Sequence, residues 1–298
     1  MEKICNSAIN CTEEKVIYLK KNGYDILECR KCSHRFLDIP NFENHLTKVY
    51  SDDYFFGGRA TGYPNYLEQK DIIINYGIKY AKIIRKHAKP GKVLDTGSAA
   101  GFILKGFEKA GWDCHGVEPN DTMAKYGREE LNLPITTGSF ENFESSKKFD
   151  LINLVQVIGH FYDIDKAMHN INNLLKPNGL VLVESWNRES AFAKLLGKNW
   201  PEYSPPSVVH WFSENTLIQL FRSYGFKLVD QGLPSKRINI KHALSILGEK
   251  IPDFIMKKKL MNMLNKIAGK YSIIYPPMDL KWYIFKNISG CLIALTAL

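Results

Sequence analysis

Two acidic residues stand where their side chains can reach a bound ligand. One begins a turn of small residues, and the other lies at the end of an apolar run. Asp95 begins a turn that contains Gly97, Ala99 and Gly101, and Glu118 closes the next apolar run. Small side chains let a ligand approach the backbone, and the helix after such a turn offers free amide groups. A carboxylate accepts hydrogen bonds from an ammonium group or from the two hydroxyls of a ribose. The two acids therefore indicate a ligand with a ribose and a cationic amino-acid part.

The turn differs from the glycine pattern of a dinucleotide site. A dinucleotide fold shows GxGxxG, whose glycines clear space for a pyrophosphate. This turn opens with Asp95, whose negative charge repels a pyrophosphate. S-adenosylmethionine contains the ribose and the cationic amino-acid part without a pyrophosphate, so the pattern favours it as the cofactor.

Four of the six cysteines lie within the first 32 residues, at spacings that suit a metal site. Cys5 and Cys11 precede two β-prone runs, and Cys29 and Cys32 follow them. Between the runs stands Asn22-Gly23, a dipeptide that readily takes the positive φ angles of a hairpin turn. A hairpin between two cysteine pairs brings four thiolates together, as a structural Zn²⁺ requires. The segment resembles a zinc ribbon.

The first cysteine pair departs from the zinc-ribbon pattern, because CNSAINC separates its two thiols by more residues than usual. His34 can replace a missing ligand. In the alternative interpretation the cysteines bind no metal, and packing alone stabilises the hairpin. A zinc ion held by four protein ligands has no open position for water and is structural.

The elements that position these groups alternate between strands and helices. A helical pattern ends at Lys89-Pro90-Gly91, and nearly uniform apolar runs then alternate with further helical patterns. The runs are Val93 to Thr96, Asp113 to Glu118, Leu151 to Val157, Leu180 to Trp186 and Phe226 to Asp230. Such runs predict a parallel sheet covered by helices on both faces, a doubly wound α/β fold. We expect a zinc-ribbon-like module over residues 1–45 and an α/β domain over residues 46–298. A helical insert at about 238–275 precedes a last strand at 281–287.

Six motifs in order give residues 92–231 a resemblance to the class I S-adenosylmethionine-dependent methyltransferases. The motifs are VLDTGSAAG, GVEP, TTGSFENF, FDLINLVQVIGHFYD, LLKPNGLVLVE and HWFSENTLIQLFRSYGF. The first motif departs from the family at Ala99, which replaces a glycine but keeps the side chain small. The resemblance implies a Rossmann-like, seven-stranded sheet whose last strand is antiparallel, and attack of an acceptor atom on the sulfonium methyl group.

The resemblance also implies which residues contact the cofactor. Glu118 takes the ribose hydroxyls, and Ser139 and Phe140 occupy the place where the family holds the adenine. The full set is Asp95, Gly97, Ala99, Gly101, Glu118, Ser139, Phe140, Val155 and Gln156.

His160 is the first candidate for a catalytic base, since it follows the fourth strand, near the expected position of the transferable methyl group. An imidazole with a pKa near neutrality can deprotonate an attacking hydroxyl. Many relatives have an acid before this histidine, whereas this chain has Gly159, which argues against a metal-assisted reaction. A structural histidine that closes a loop is the alternative.

His210 is the second candidate, in the segment PPSVVHWFS. Its position resembles that of the base in zinc-ribbon-bearing sugar C-methyltransferases. Those enzymes place Glu directly before the histidine, where this chain has Val209. The alternative role for His210 is that of a lid or acceptor contact.

Aromatic residues gather in two segments. Those on the predicted acceptor side either stack on a sugar or another ring, or pack in the core; they are Trp186, Trp200, Tyr203, Trp211 and Phe212. A second group precedes the first helix and is a candidate lid over the methionine end of the cofactor; it comprises Tyr50, Tyr54, Phe55 and Phe56.

Composition excludes several classes of protein. Hydrophobic residues make up 45% of the 298 and charged residues 24%, which is typical of globular proteins and not of disordered ones. The formal net charge is +9, but the lysines are scattered and no basic motif interleaves with aromatic residues, so we expect no nucleic-acid partner. The beginning MEKICNSAIN differs from a signal peptide, and CLIALTAL is far shorter than the roughly 20 residues of a membrane-spanning helix. We expect a cytoplasmic protein without an integral membrane segment.

The sequence therefore predicts an enzyme that methylates a small molecule, first of all a hydroxyl of a sugar or glycan precursor. C- or N-methylation of a nucleotide sugar or another metabolite is the alternative reaction. A methyltransferase fold without turnover, acting as a binding adaptor, is the alternative from another class.

Overall fold

The computed structural model describes residues 15–37, 49–57, 65–234, 236–239, 272–275 and 279–288. The strands are β1 (Lys15–Lys21), β2 (Tyr24–Cys29), β3 (Arg35–Leu37), β4 (Lys92–Thr96), β5 (Asp113–Glu118), β6 (Ile135–Thr137), β7 (Phe149–Val155), β8 (Leu175–Trp186), β9 (His210–Trp211), β10 (Phe226–Gly232), β11 (Lys236–Asn239), β12 (Ser272–Tyr275) and β13 (Leu280–Asn287). The α-helices are α1 (Asp52–Phe55), α2 (Lys70–Ile84), α3 (Phe102–Lys109), α4 (Asp121–Leu131), α5 (Ile164–Leu174), α6 (Ala191–Leu196) and α7 (Glu214–Ser223). In the described ranges, no helix combines the length and the apolar character that crossing a membrane requires.

The main sheet has seven strands in the order β10-β13-β8-β7-β4-β5-β6. β4 pairs in parallel with β5 and β7, β5 with β6, and β7 with β8, whereas β13 runs antiparallel to both β8 and β10. The predicted doubly wound α/β fold with an antiparallel last strand is confirmed. Because the carboxyl ends of β4, β5, β7 and β8 share one edge, the residues that follow these strands lie close together.

Helices cover both faces of this sheet with apolar side chains. On one face, α2 and α3 contribute Ile74, Tyr80, Phe102 and Phe107 to the core. On the other face, α5 and α7 contribute Met168, Ile171, Leu217 and Phe221. The central strands are buried between the two layers, which explains why their sequences are almost uniformly apolar.

The N-terminal segment forms the predicted hairpin. β1 and β2 pair antiparallel across Asn22-Gly23, whose φ angles of 52° and 81° are those that the dipeptide favours. β3 continues this sheet, and β9, from much later in the chain, completes the order β1-β2-β3-β9. The predicted boundary near residue 45 lies outside the described residues, and the sequence on either side belongs to one compact unit, Met1–Gly232 with Met278–Leu298.

A second compact unit, Leu233–Pro277, corresponds to the predicted helical insert. Its described residues include the strands β11 and β12, which pair antiparallel from Lys236↔Tyr275 to Asn239↔Ser272. The prediction of helix is therefore wrong at both ends of the insert, since β-ladder hydrogen bonds satisfy the backbone there. The residues between the two strands, and the segment CLIALTAL, lie outside the described residues.

Candidate active site

The turn between β4 and α3 follows a left-handed path at three of its positions. Gly97, Ala99 and Gly101 have φ angles of 65°, 46° and 79°, a region in which glycine is unstrained and alanine is not. A Cβ atom at Gly101 would lie 2.8 Å from Leu133 Cδ1. The small residues are thus required by the backbone path and by packing beneath the turn.

Glu118, at the end of β5, is tied to this turn. Its Oε2 accepts a hydrogen bond from the Ala99 amide at 2.7 Å, and its Oε1 accepts one from the Asn120 amide at 2.9 Å. Burial raises the pKa of Glu118 to about 7, although the two amide donors oppose the shift. Since each carboxylate oxygen can accept a second hydrogen bond, Glu118 keeps the capacity to bind two ribose hydroxyls.

Asp95, at the end of β4, is a second buried carboxyl at the same edge. Its Oδ1 accepts a hydrogen bond from Asn153 Nδ2 at 2.5 Å. Burial raises the pKa of Asp95 to about 7, the Asn153 hydrogen bond opposes this, and the nearby Glu118 carboxyl adds to it. A cationic group bound here stabilises the ionised forms of both carboxyls.

The residues predicted to hold an adenine form the third part of this edge. Ser139 Oγ is buried without a hydrogen-bond partner among the described residues. The neighbouring Phe140 is buried, and its ring packs against that of Phe161 at a centroid distance of 5.6 Å. A buried polar atom beside aromatic surface suits a heterocycle. Two carboxyls, a buried hydroxyl and an aromatic ring at one edge of the sheet therefore fit S-adenosylmethionine.

Gln156 and Glu184 join the ends of β7 and β8 beside this edge. Gln156 has a φ of 57°, and its backbone amide donates to the Glu184 carbonyl at 2.8 Å. Gln156 Nε2 donates to Glu184 Oε1 at 3.0 Å, and the Tyr80 hydroxyl donates to Glu184 Oε2. Val155, which precedes them, packs against the α2–α3 core. No role was predicted for Glu184 from the sequence, although it directly follows the apolar residues Leu180–Val183.

His160 lies in a short 3₁₀ helix after β7, with its ring fixed from one side. Its Nδ1 is 2.7 Å from the Ser207 carbonyl oxygen and 2.9 Å from the Tyr50 hydroxyl. A carbonyl oxygen can only accept, so Nδ1 carries the proton and Nε2 is left with the lone pair. Burial lowers the pKa of His160, which keeps the imidazole neutral. This is the tautomer that a base acting through Nε2 needs.

His210 lies in β9 with its ring paired to a second histidine. Its Nδ1 is 3.1 Å from His34 Nε2, and the two rings stack at a centroid distance of 5.3 Å. Burial lowers the pKa of His210 to about 4, and the Phe161 carbonyl only partly opposes the shift. The pKa of His34 is also well below its usual value, through burial and the neighbouring His210. The pair is neutral and joins β9 to the N-terminal sheet.

A cleft is lined by both candidate histidines. Its walls come from the ends of β7 and β8, the 3₁₀ helix of His160, and the segment 200–211. The lining residues are Gln156, Gly159, His160, Glu184, Ser185, Trp186, Trp200, Glu202, Val208, His210 and Trp211.

The predicted acceptor-side aromatic residues divide between cleft and core. Trp186 is partly exposed and lines the cleft, and Trp211 also lines it. Trp200 lines it too, but it is 1% exposed and its Nε1 donates to Asp279 Oδ2 at 2.8 Å. Tyr203 and Phe212 are buried in the two adjoining cores. The core-packing interpretation therefore holds for Tyr203 and Phe212.

The predicted aromatic lid is also divided. Tyr50 reaches the cleft through its contact with His160. Phe55 packs in the core against Tyr66, and Phe56 is 42% exposed. Tyr54 is partly buried against the same core. The segment before α2 thus reaches the site mainly through Tyr50.

The cysteine pair that the structure describes lies at the turn between β2 and β3. Cys29 ends β2 and is buried, and Cys32 is partly buried. The Cys29 carbonyl accepts a hydrogen bond from the Ser33 amide at 2.7 Å. Cys5 and Cys11 lie outside the described residues. Within the ranges described, no group of three or more His, Cys, Asp or Glu side chains is placed to hold a metal ion.

Comparisons with known proteins agree on one family. A family model for the methyltransferase domain matches residues 76–231. A ubiquinone biosynthesis O-methyltransferase from Rickettsia bellii is 25% identical over 169 residues, which cover 50% of this chain and 70% of that protein.

Two solved structures share the fold over most of the chain. The 1,6-didemethyltoxoflavin-N1-methyltransferase of Burkholderia thailandensis, with bound 1,6-didemethyltoxoflavin and S-adenosylhomocysteine, superimposes with a TM-score of 0.52 at 13% identity, covering 92% of this chain and 99% of that one. The magnesium protoporphyrin IX methyltransferase of Synechocystis PCC 6803, also with bound S-adenosylhomocysteine, gives a TM-score of 0.51 at 12% identity, covering 81% and 99%.

Proposed function

Since this chain belongs to the methyltransferase domain family and is an S-adenosylmethionine-dependent methyltransferase of class I, we propose that it methylates a hydroxyl of a sugar or glycan precursor. The observation that carries the proposal is the tautomer of His160, whose Nε2 lone pair belongs to a residue that lines the cleft. A hydroxyl needs a base as it attacks, because the alcohol proton must leave.

The cofactor half of the site positions the methyl donor. S-adenosylmethionine supplies a methyl group on a sulfonium, which is already activated for transfer. We assign Asp95 to the amino group, Glu118 to the ribose hydroxyls, and Ser139 and Phe140 to the adenine. The turn at Gly97, Ala99 and Gly101, with Val155 and Gln156, completes the binding surface. These residues bind and orient, and the fixed geometry lowers the entropic cost of the reaction.

His160 is our choice for the base, ahead of His210. His160 Nδ1 is held by a backbone carbonyl, which leaves Nε2 to accept the acceptor's hydroxyl proton. His210 uses Nδ1 in the pair with His34, and a pKa of about 4 makes it a weak base at neutral pH. We assign His210 to the wall of the acceptor cleft.

The remaining cleft residues support a carbohydrate acceptor. Trp186, which is partly exposed, offers aromatic surface, and Glu202 supplies a carboxylate. Aromatic faces pack on the apolar faces of sugar rings, and carboxylates accept hydrogen bonds from hydroxyl groups. The O-methyltransferase name of the Rickettsia relative is consistent with a hydroxyl acceptor.

Calorimetry followed by a transfer screen tests this proposal. The full chain is titrated with S-adenosylmethionine and S-adenosylhomocysteine, and methyl-labelled cofactor is then offered with nucleotide sugars and glycolipid precursors. We expect binding of both ligands and a labelled methyl ether on a hydroxyl. Label on carbon or nitrogen would replace O-methylation by the alternative reactions. Folded protein that binds neither ligand would favour the adaptor interpretation.

We also propose that Cys5, Cys11, Cys29 and Cys32 hold a structural Zn²⁺. The support is the tight turn that places Cys29 and Cys32 close together, with Ser33 at a φ of 57°. Purified protein should contain one zinc per chain, and Cys29→Ser with Cys32→Ser should abolish it and expose the hairpin to protease. Cys114→Ser, a buried cysteine in β5, is the matched control and should retain the metal. Zinc retained by the double variant would refute the site.

A further inference from the structure

One short segment contacts both halves of the site. Residues 49–55, which we call the strap, contain Tyr50 and the helix α1. The Tyr50 carbonyl and Asp52 bind the loop after β5, and the Tyr50 hydroxyl contacts His160. The strap itself lies outside the family motifs described above.

The cofactor-side attachment depends on Asn120. Its Nδ2 donates to the Tyr50 carbonyl at 2.9 Å and to Asp52 Oδ1 at 3.0 Å, which uses both amide protons. Its backbone amide donates to Glu118 Oε1, and its Oδ1 caps α4 by accepting from the Met123 amide at 2.8 Å. A single residue therefore connects the strap to the predicted ribose carboxylate.

The acceptor-side attachment is the Tyr50 hydroxyl. It donates to the Ser207 carbonyl at 3.0 Å and lies 2.9 Å from His160 Nδ1. Its single proton is used on Ser207, so its oxygen accepts from the His160 Nδ1–H. Burial, with smaller contributions from Tyr54 and two nearby carboxyls, raises the pKa of Tyr50 well above its usual value, so the hydroxyl keeps its proton.

We propose that Tyr50 is a positioning residue for His160, and that Asn120 couples its placement to the ribose end of the cofactor site. The inference rests on the proposed role of His160 as the base. Two acceptors, the Tyr50 hydroxyl and the Ser207 carbonyl, hold the Nδ1 proton and so keep the lone pair on Nε2. Asn120 binds the Tyr50 carbonyl and Asp52, and its own amide is bound to Glu118, so a shift of Asn120 moves the backbone of Tyr50.

Nuclear magnetic resonance of the histidine side chains tests the proposal without an acceptor. The full chain is labelled at its histidines, and the His160 ring signals are assigned by their loss in His160→Asn. Chemical shifts of the ring nitrogens report the tautomer, and a pH titration reports the pKa. With S-adenosylhomocysteine bound, wild-type His160 should show the Nδ1–H tautomer.

Two variants separate the two attachments. Tyr50→Phe removes one of the two acceptors of the Nδ1–H, so the Nδ1 chemical shift of His160 should change and its pKa should fall further, while the Ser207 carbonyl keeps the proton on Nδ1. Asn120→Asp keeps an oxygen to cap α4 but removes both donors and places a second carboxylate beside Asp52. It should produce the same change at His160, a ring with which Asn120 makes no hydrogen bond. Tyr126→Phe, in α4, is the matched control and should leave the His160 signals unchanged.

The outcomes are distinct. If His160 keeps wild-type shifts and pKa in Tyr50→Phe, the positioning role is overturned. If Asn120→Asp alone leaves His160 unchanged in folded protein, the coupling is overturned. A wild-type His160 with its proton on Nε2 would overturn both.

Turnover distinguishes this inference from the proposed function. Once an acceptor is known, Tyr50→Phe should lower kcat while leaving KM for S-adenosylmethionine unchanged. Absence of cofactor binding would refute the proposed function whatever the His160 signals show. Binding and transfer with unaltered His160 signals in both variants would refute only the inference.

Discussion

The cofactor half and the acceptor half of the site are built in different ways. The cofactor half consists of the turn after β4, the end of β5 and the Ser139 segment, and each part follows its strand directly in the sequence. The acceptor half takes residues from the strap, β3, the ends of β7 and β8, and the segment 200–211. Two backbone amides hold Glu118, and the side chain of Asn153 in the neighbouring strand holds Asp95. The histidines of the second half are held by groups from other segments, namely the Ser207 carbonyl, Tyr50 and His34. Cofactor binding therefore depends mainly on residues at the ends of neighbouring strands, whereas methyl transfer depends on contacts between segments far apart in the sequence.

Replacing His160 should have the largest effect on the rate of methyl transfer and no effect on cofactor affinity. His160→Asn keeps a donor toward the Ser207 carbonyl but removes the basic nitrogen. We expect transfer to fall by roughly 10²- to 10⁴-fold, the usual contribution of a general base. Affinity for S-adenosylmethionine should not change. Rate measurements with saturating cofactor test this.

The companion variant His210→Asn tells the two histidines apart. It should reduce transfer less than His160→Asn does, and it should lower the melting temperature, because it disrupts a buried pair. A larger loss of transfer in folded His210→Asn would make His210 the base and reverse our assignment.

Glu118→Ala should affect the opposite half. Removing the carboxylate leaves the Ala99 and Asn120 amides without their partner, and the ribose loses its acceptor. We expect cofactor binding to weaken by about 1–3 kcal/mol, measured by calorimetry. Glu108→Ala, an acid on the surface of α3 in an ion pair with Lys105, serves as the control. Equal affinities in the two variants would remove Glu118 from the site.

Acidification should change the cofactor half in two opposite directions. The pKa values of Asp95 and Glu118 are raised to about 7 in the folded protein, so their stabilising contribution is present below about pH 4 and is lost as the pH rises through 7. The cofactor-free protein should therefore be stabilised by these groups at pH 5 relative to pH 8. A cationic ligand prefers the ionised acids, so affinity should fall below pH 7, by up to about tenfold per pH unit for each group.

Melting curves and calorimetry at pH 5 to 8 measure both effects on one sample. Calorimetry in buffers of different ionisation enthalpy should show protons released on binding near pH 6. Affinity that is independent of pH would mean that the cofactor does not interact with these two acids.

The smallest expected effect concerns the turn itself. Ala99 adopts a left-handed φ of 46°, which costs an alanine roughly 1–2 kcal/mol, while glycine has a larger entropic cost of folding. Ala99→Gly should raise the free energy of unfolding by up to about 1 kcal/mol without loss of cofactor affinity. Ala100→Gly, at a buried neighbour without a positive φ, should lower it. Chemical denaturation of the two variants compares them directly, and destabilisation by both would show that the left-handed angle stores no strain.

Sequence alone predicted the sheet, the hairpin and the cofactor turn, because each depends on periodicity or on a turn with fixed chemistry. Asn22-Gly23 forms the hairpin, Asp95 is the penultimate residue of β4, and Glu118 is the last residue of β5. The same rule, an acid at the end of an apolar run, applied to β8 would have found Glu184.

For the acceptor half, the sequence predicted single residues but not the contacts between them. His160 and His210 were recognised as candidates, but the contacts that distinguish them come from Ser207, Tyr50 and His34. No local sequence pattern indicates a hydrogen bond between residues that lie 47 to 176 positions apart. The insert was mispredicted at its ends because a helical pattern in the middle was extended over two short strands.

The position of β13 limits which strands can pair while the chain is still being synthesised. Among the described strands, β10 pairs with β13 alone, which lies between it and β8. Until residues 280–287 have been synthesised, β8 therefore exposes a long hydrogen-bonding edge and β10 has no partner in the sheet. Likewise, β3 cannot pair with β9 until residues 210–211 have been synthesised, so the N-terminal sheet is incomplete before that point. Nascent chains stalled before residue 280 should accordingly depend on chaperones. A pause in translation near the end of the chain should impair folding more than a pause near the middle.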